Sequence, residues 1–204
     1  MKVFIDLCTS LGGASKAFDD HPDWRTIKID NAEYLLEHHR GMILQDITDT
    51  DSTLAIINQM LRDWGFDRLK DTLVIWASPP CNQFSFANAA RDPETFDFTV
   101  LEACLNIIDH LPWDYWIVEN VHGAVEPFST IMEHHPRQTI GPLCLWGHFP
   151  MIGIKDRTIW KHRKMEAKGS RLLRPHNRAL VPEPVSQGLR SAIDHQTSLA
   201  RWTQ

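Results

Sequence analysis

A lone cysteine set behind two prolines is the first chemical signal in this 204-residue chain. Leu73-Val74-Ile75-Trp76-Ala77 is a short apolar run that reads as a buried strand. It is followed by Ser78-Pro79-Pro80-Cys81-Asn82-Gln83-Phe84-Ser85. The prolines end the strand and fix φ, and Pro80 holds Pro79 extended. The thiol is thus expected at the carboxyl end of a strand on a pre-set backbone, where open α/β sheets bind ligands. Trp116-Ile117-Val118 is a second apolar strand, and it ends in Glu119-Asn120-Val121. At the tip of a neighbouring parallel strand, the Glu119 carboxyl would lie beside the thiol. A thiolate with a proton-donating carboxyl is what attack on an electron-poor pyrimidine requires. The sulfur adds at C6, the acid protonates N3, and C5 becomes nucleophilic enough to accept a methyl group.

The amino end carries a different chemistry. Val3–Leu7 is an apolar strand, followed by Cys8-Thr9-Ser10-Leu11-Gly12-Gly13-Ala14-Ser15. Strand, glycine turn and helix form the opening of a nucleotide-binding βα unit, in which glycines let the backbone approach a ligand and the helix start offers free N–H groups. Ser10 stands where a first glycine is usual and no Walker lysine follows, which disfavours a dinucleotide or phosphate site. Asp30 ends the apolar strand Thr26–Ile29, at about the spacing at which such folds place an acid on ribose hydroxyls.

Taken together these motifs resemble the DNA cytosine-5 methyltransferases. The Pro-Cys-Asn-Gln-Phe-Ser run is similar to the family's Pro-Cys-Gln motif, Glu119-Asn120-Val121 matches its Glu-Asn-Val, and Asp6–Gly13 resembles its Asp-Leu-Phe-x-Gly-x-Gly-Gly loop. The likeness runs in matching order from Met1 to about Pro150. It implies an α/β, Rossmann-like S-adenosylmethionine-dependent methyltransferase fold, a mostly parallel sheet with helices on both faces. It implies Cys81 as nucleophile and Glu119 as acid, with Asn120 beside them. S-adenosylmethionine is the implied cofactor, held by Asp6, Leu7, Thr9, Ser10, Leu11, Gly12 and Gly13, by Asp30 on ribose and Asp46 on the adenine amino group, and by Ile47 and Pro79. Duplex DNA with its target cytosine flipped out is the implied partner, contacted by Gln83 and Ser85. Between Phe84 and Phe96 the family has a mobile loop that closes over the flipped base.

There are departures. Leu145-Trp146-Gly147-His148-Phe149-Pro150 resembles the Phe-Trp-Gly-Asn-Leu-Pro run of the animal de novo methyltransferases, but the arginine that precedes it there is replaced by Gly141, Pro142 and Leu143. Arg137, Arg157 and Arg163 are alternative substitutes. The large target-recognition domain of the family is reduced here to a short basic stretch, as in compact phage- or virus-encoded members. Residues 178–182 and a helix over 184–196 resemble the family's closing segment, where the chain returns to the cofactor pocket.

Charge supports this division. The formal net charge is −5, yet residues 1–150 hold 10 Lys+Arg against 22 Asp+Glu, while residues 151–180 hold 9 against 2. A basic segment on an acidic body is a footprint of phosphate contact, and Arg157, Lys161, Arg163, Lys164 and Arg171 are its candidate DNA contacts. The expected organisation is a catalytic domain over 1–150, a small DNA-contact region over 151–180 and a returning segment over 181–204.

The elements that must position these groups alternate. Strand 3–7 leads to helix 13–19, strand 26–30 to helix 31–39, helix 51–64 to strand 73–77, and helix 97–110 to strand 115–119, followed by a helix near 127–134. Such alternation predicts a mostly parallel sheet covered on both faces. No apolar run approaches the roughly 20 residues of a bilayer span, and the amino end lacks the pattern of a secretory leader. Cys8, Cys81, Cys104 and Cys144 have no paired spacing, so a reducing compartment without structural zinc is expected, the cytoplasm of a prokaryote or a virus-infected cell. His38-His39 and His134-His135 read as surface pairs. Two other readings stay open from sequence: an idle relative that binds DNA or cofactor, and a related transferase acting on RNA or nucleotides or with an altered cofactor.

Overall fold

The computed structural model describes residues 1–154 and 172–200. Its centre is a seven-stranded sheet formed by β1 (Lys2–Leu7), β2 (Trp24–Asp30), β3 (Met42–Leu44), β4 (Thr72–Ala77), β5 (Tyr115–Val121), β6 (Gln138–Ile140) and β7 (Leu143–His148), in the order β3-β2-β1-β4-β5-β7-β6. The first five strands run parallel, and β7 enters antiparallel to both β5 and β6. β1 and β4 are buried along almost their whole length because both sheet faces are covered, which is why they read as continuous apolar runs. This is the Rossmann-like, mostly parallel α/β sheet with helices on both faces that the sequence predicted.

Six helices cover the sheet among the described residues: α1 (Lys16–Asp19), α2 (Thr50–Asp63), α3 (Thr99–Asp109), α4 (Val125–Met132), α5 (Arg174–Ala179) and α6 (Glu183–Ala200). One core lies under α2, α3 and α4, where Ile57, Ile107 and Phe128 meet Ile5, Ile75 and Val118. The other lies under α1 and α6, where Phe18, Val185 and Leu189 meet Phe4, Val74 and Ile117. Phe18 stacks on Phe4 with ring centroids 4.0 Å apart. α6 is tied to α1 by Ser186, whose Oγ accepts from Ala17 N at 3.0 Å and donates to the Ala14 carbonyl at 2.6 Å.

Two predicted helices are corrected. The helix expected over 13–19 begins only at Lys16, because the chain first makes left-handed turns at Cys8, Ser10 and Gly12, with φ of 57°, 51° and 72°. The helix expected over 31–39 is a single 3₁₀ turn, Glu33–Leu35. β3 pairs with Lys28–Asp30, the last residues of β2, so the return path is too short to need a full crossover helix. The antiparallel pair β6–β7 was not anticipated. Gly147, at φ 123°, lets β7 pass β5 closely: a Cβ there would lie 2.2 Å from the Trp116 carbonyl oxygen. Among the described residues no helix is long and apolar enough to cross a membrane.

Candidate active site

The strand order reverses between β1 and β4, and two adjoining cavities open at the carboxyl ends there, as expected for a doubly wound sheet. Cys8, Ser10, Ser78, Asn82, Pro175 and Ala179 border both. The first cavity, about 250 Å³, is walled by Asp30, Asp46, Ile47, Tyr34, Pro80 and Val100. The second, about 320 Å³, includes Asp6, Thr9, Cys81, Ser85, Glu119 and Arg178 in its wall. Together they fall within the ~300–1,000 Å³ usual for small-molecule sites.

In the first cavity Asp30, at the end of β2, is held by main-chain N–H groups. Oδ2 accepts from Ser10 N at 2.9 Å and Oδ1 from Ala32 N at 3.0 Å. The left-handed Ser10 is what turns that N–H toward the acid, explaining why glycine is usual at this position; a side chain there costs roughly 1–2 kcal/mol of backbone strain. Asp46 is exposed, and its Oδ1 accepts from Thr48 N and Thr48 Oγ1 at 2.9 and 2.8 Å. Two carboxylates beside the apolar side chains of Ile47 and Val100 match a nucleoside, with acceptors for hydroxyl and amino groups and a dry wall for a ring. The residues therefore fit the adenosine part of S-adenosylmethionine.

In the second cavity the Pro-Pro turn and β5 bring Cys81 and Glu119 to one wall. Burial, and then the negative charge of Glu119, push the Cys81 thiol up to about 11, so it rests protonated. Glu119 is oriented by a relay. Trp76 Nε1 donates to Ser78 Oγ at 2.8 Å, and Ser78 Oγ donates to Glu119 Oε2 at 3.0 Å. Asn120, expected among the catalytic groups, is buried and turned away: its Nδ2 donates to the Pro79 carbonyl at 2.9 Å. It fastens the cysteine turn to β5 and is a positioning residue. Asp6 accepts from Thr9 Oγ1 at 2.8 Å, and burial raises its carboxyl to about 7.

The remaining predicted residues separate. Ser10 borders both cavities, and Gly13 borders the second. Leu7 is a core residue, and neither Leu11 nor Gly12 lines either of these two cavities. Pro79 borders the second cavity instead of the cofactor end, where Pro80 stands. Gln83 does not face either cavity; its amide donates to the Asp97 carbonyl at 2.5 Å and accepts from Asp97 N at 2.8 Å, closing the following loop on itself. Phe84 anchors that loop among Phe96, Phe98 and Phe128, and Arg91 donates to the Phe84 and Gly123 carbonyls at 3.1 and 3.3 Å. Arg137 lies over the Phe149 ring, away from both cavities. Arg157, Lys161, Arg163, Lys164 and Arg171 lie outside the described residues.

Five participants were missed. His39 is buried, not on the surface: its Nδ1–H donates to the Ser10 carbonyl at 2.9 Å, and burial together with Lys28 pushes its pKa down. From α5, His176 bridges Ser10 Oγ and Tyr34 Oη, each at 2.6 Å, roofing the first cavity. Arg178 borders the second. Tyr34 and Ser78 complete the set. The basic composition around His176 and Arg178 pointed to phosphate, although residues 178–182 were expected to return to the cofactor pocket; the start of α5 is carried there as well.

No family model and no curated protein matches the sequence. Solved structures similar to the chain include an E. coli prophage-encoded protein described as a DNA modification methyltransferase, at 18% identity with a TM-score of 0.44 over 65% of this chain. The methyltransferase EhMeth of Entamoeba histolytica is similar at 14% identity and a TM-score of 0.42, again over 65% of this chain. The matched parts span 36% and 42% of those two proteins.

Proposed function

We propose that the protein transfers a methyl group from S-adenosylmethionine to C5 of cytosine in DNA, through a covalent bond between Cys81 and the base. The observation that carries this reading is the meeting of Cys81 and Glu119 in one cavity, next to a second cavity whose carboxylates suit a nucleoside. S-adenosylmethionine supplies the electrophilic methyl group and is left as S-adenosylhomocysteine.

The protein's own groups handle the ring. The Cys81 sulfur bonds to C6 after its proton has passed to solvent, Glu119 donates a proton to N3, and the C5–C6 π pair becomes available at C5 to take the methyl group. The C5 proton then departs to solvent water, its bonding pair restores the C5–C6 double bond, the S–C6 pair leaves on sulfur, which takes a proton from solvent, and N3 returns its proton to Glu119. A thiol resting protonated suits this order. Its proton is held until a base fills the cavity and Glu119 takes up the proton it will pass to N3, which removes the nearby negative charge that helps raise the thiol. Trp76 and Ser78 keep the Glu119 carboxyl aimed, and Asn120 keeps the cysteine turn in register. Ser85, at the cavity rim, and the basic stretch 151–180 are the DNA-facing parts in this reading.

Incubating the chain with labelled S-adenosylmethionine and duplex DNA, then digesting to nucleosides, should place the label on 5-methylcytosine. A 5-fluorocytosine oligonucleotide should become covalently attached at Cys81, because fluorine cannot leave C5 as the proton does. Label on an exocyclic amino group, or no covalent complex, overturns the proposal.

A further inference from the structure

We infer that Arg91 is the latch that sets Cys81 against Glu119, a positioning residue whose assignment rests on those two being the reacting pair. The two groups arrive on separate chain segments. Cys81 heads the loop that follows β4, whereas Glu119 stands on β5, which runs on through Val121 into the turn His122–Ala124. At the start of the loop Phe84 N and Ser85 N both donate to the Cys81 carbonyl, at 3.1 and 3.0 Å. The cysteine and residues 84–85 therefore form one tight turn, and whatever holds the Phe84 backbone holds Cys81 with it.

Arg91 is what holds it. A Cβ on Gly123 would overlap the Phe84 carbonyl oxygen, so the loop and the turn beyond β5 meet backbone to backbone. Both segments present carbonyl oxygens to Arg91 there, and two acceptors cannot bond one another. The guanidinium fork supplies donors to both at once, Nε to the Phe84 carbonyl at 3.1 Å and Nη2 to the Gly123 carbonyl at 3.3 Å. It also lies over the rings of Phe86 and Phe96, 5.0 and 5.1 Å from their centroids. Among the described residues no carboxylate forms a salt bridge with Arg91, so this junction is what its charge serves. The cysteine turn is thus tied to β5 at two points. Asn120 fastens it before Cys81, at the Pro79 carbonyl, and Arg91 fastens it after. With the second tie gone, the thiol can swing about the first.

Alkylation of Cys81 in the full chain, without DNA or cofactor, tests the latch directly. With the junction intact, burial and the Glu119 charge hold the thiol at about 11. Once the loop lifts, both causes weaken and the thiol falls toward the ordinary cysteine value. R91A should therefore let iodoacetamide label Cys81 at least about tenfold faster at pH 8, the gain in thiolate for each pH unit by which the thiol falls. It should lower the single-turnover methylation rate by roughly 10²-fold, the cost of a misplaced reacting group, with DNA affinity within about threefold of wild type. R91K, which keeps the charge and loses the fork, should recover part of both. G123A forces the same junction apart from the other side and should shift the labelling profile in the same direction; it decides the matter if thermal melting shows R91A unfolded. An unchanged labelling profile, an unchanged single-turnover rate, or loss of fold in both variants overturns the latch. Weaker DNA binding with labelling and rate unchanged would mean that Arg91 faces phosphate instead. Faster labelling of R91A, in a chain whose wild type methylates no DNA, keeps the latch and overturns the proposed reaction, so the two failures are distinct.

Discussion

The two adjoining cavities share a rim yet treat acidic groups in opposite ways. In the cofactor cavity Asp30 has both oxygens already engaged by main-chain N–H groups, and Asp46 stands at the surface. In the reaction cavity burial raises both Asp6, to about 7, and Cys81, to about 11. One cavity is built to offer fixed acceptors, the other to withhold protons until a substrate is present. The contrast follows from position on the sheet. Asp30 ends a strand next to a left-handed turn that supplies N–H donors, whereas Asp6 and Cys81 sit at the covered centre, on β1 and behind β4, where few dipoles compensate a charge.

The comparison breaks most sharply at the nucleophile. Cys81→Ser should remove detectable turnover while leaving S-adenosylmethionine affinity unchanged, since the thiol belongs to the reaction cavity alone. Near-normal methylation by the serine variant would mean that the two cavities are not divided into binding and reacting halves.

Glu119→Gln should lower the single-turnover rate by roughly 10²- to 10⁴-fold, the usual worth of a positioned proton donor. It should also change the thiol in a defined direction. The Glu119 charge helps raise Cys81, so its removal lowers the thiol pKa. Iodoacetamide should then label Cys81 faster in the variant than in wild type at pH 8, with wild-type labelling still rising beyond pH 9. Site-resolved mass spectrometry separates Cys81 from Cys8. Equal labelling curves would show that the carboxylate is not close enough to act on the ring either.

For the cofactor cavity the expected effects are smaller. Asp30→Ala should weaken S-adenosylmethionine binding by roughly 1–3 kcal/mol, the cost of leaving a polar partner unsatisfied. Asp46→Ala should cost less, because an exposed acid is replaced readily by water. Calorimetry showing the larger loss at Asp46 would reverse the ranking of the two acids.

Legibility from sequence followed how local each signal was. The Pro-Pro-Cys turn, the Glu119 strand end and the strand-loop opening at Val3–Gly13 are set by neighbouring residues, and the parallel sheet follows from their alternation. His39 was misread because two adjacent histidines look like surface whichever way they point, yet the left-handed loop beyond β1 leaves room for His39 beneath it. β6 and β7 are short and broken by Gly141 and Pro142, so neither period stands out. α5 was legible only in part. The return of residues 178–182 to the pocket was expected by resemblance, but residues 174–177 read as part of a phosphate-binding run, and the bond of His176 to Ser10 comes from the tertiary fold alone.

The smallest expected effect tests the proton-holding character of the reaction cavity without touching catalysis directly. Asp6 lies at the covered end of β1 and holds its proton to about pH 7, whereas in an unfolded chain it would release it near 3.8. The folded state thus binds a proton that the unfolded state has lost, and stability falls as pH rises from about 4 through 7. Asp6→Asn keeps an oxygen to accept from Thr9 but cannot ionise. The variant should match wild type near pH 4 and be more stable at pH 8 by on the order of 1 kcal/mol, a few degrees in Tm for a chain of this length. The gain stays modest because the cavity admits solvent beside the acid. Thermal melts of both proteins at pH 4, 6 and 8, without cofactor, give the comparison. A difference that does not change with pH would mean that Asp6 carries no buried charge, and the distinction between the two cavities would then rest on Cys81 alone.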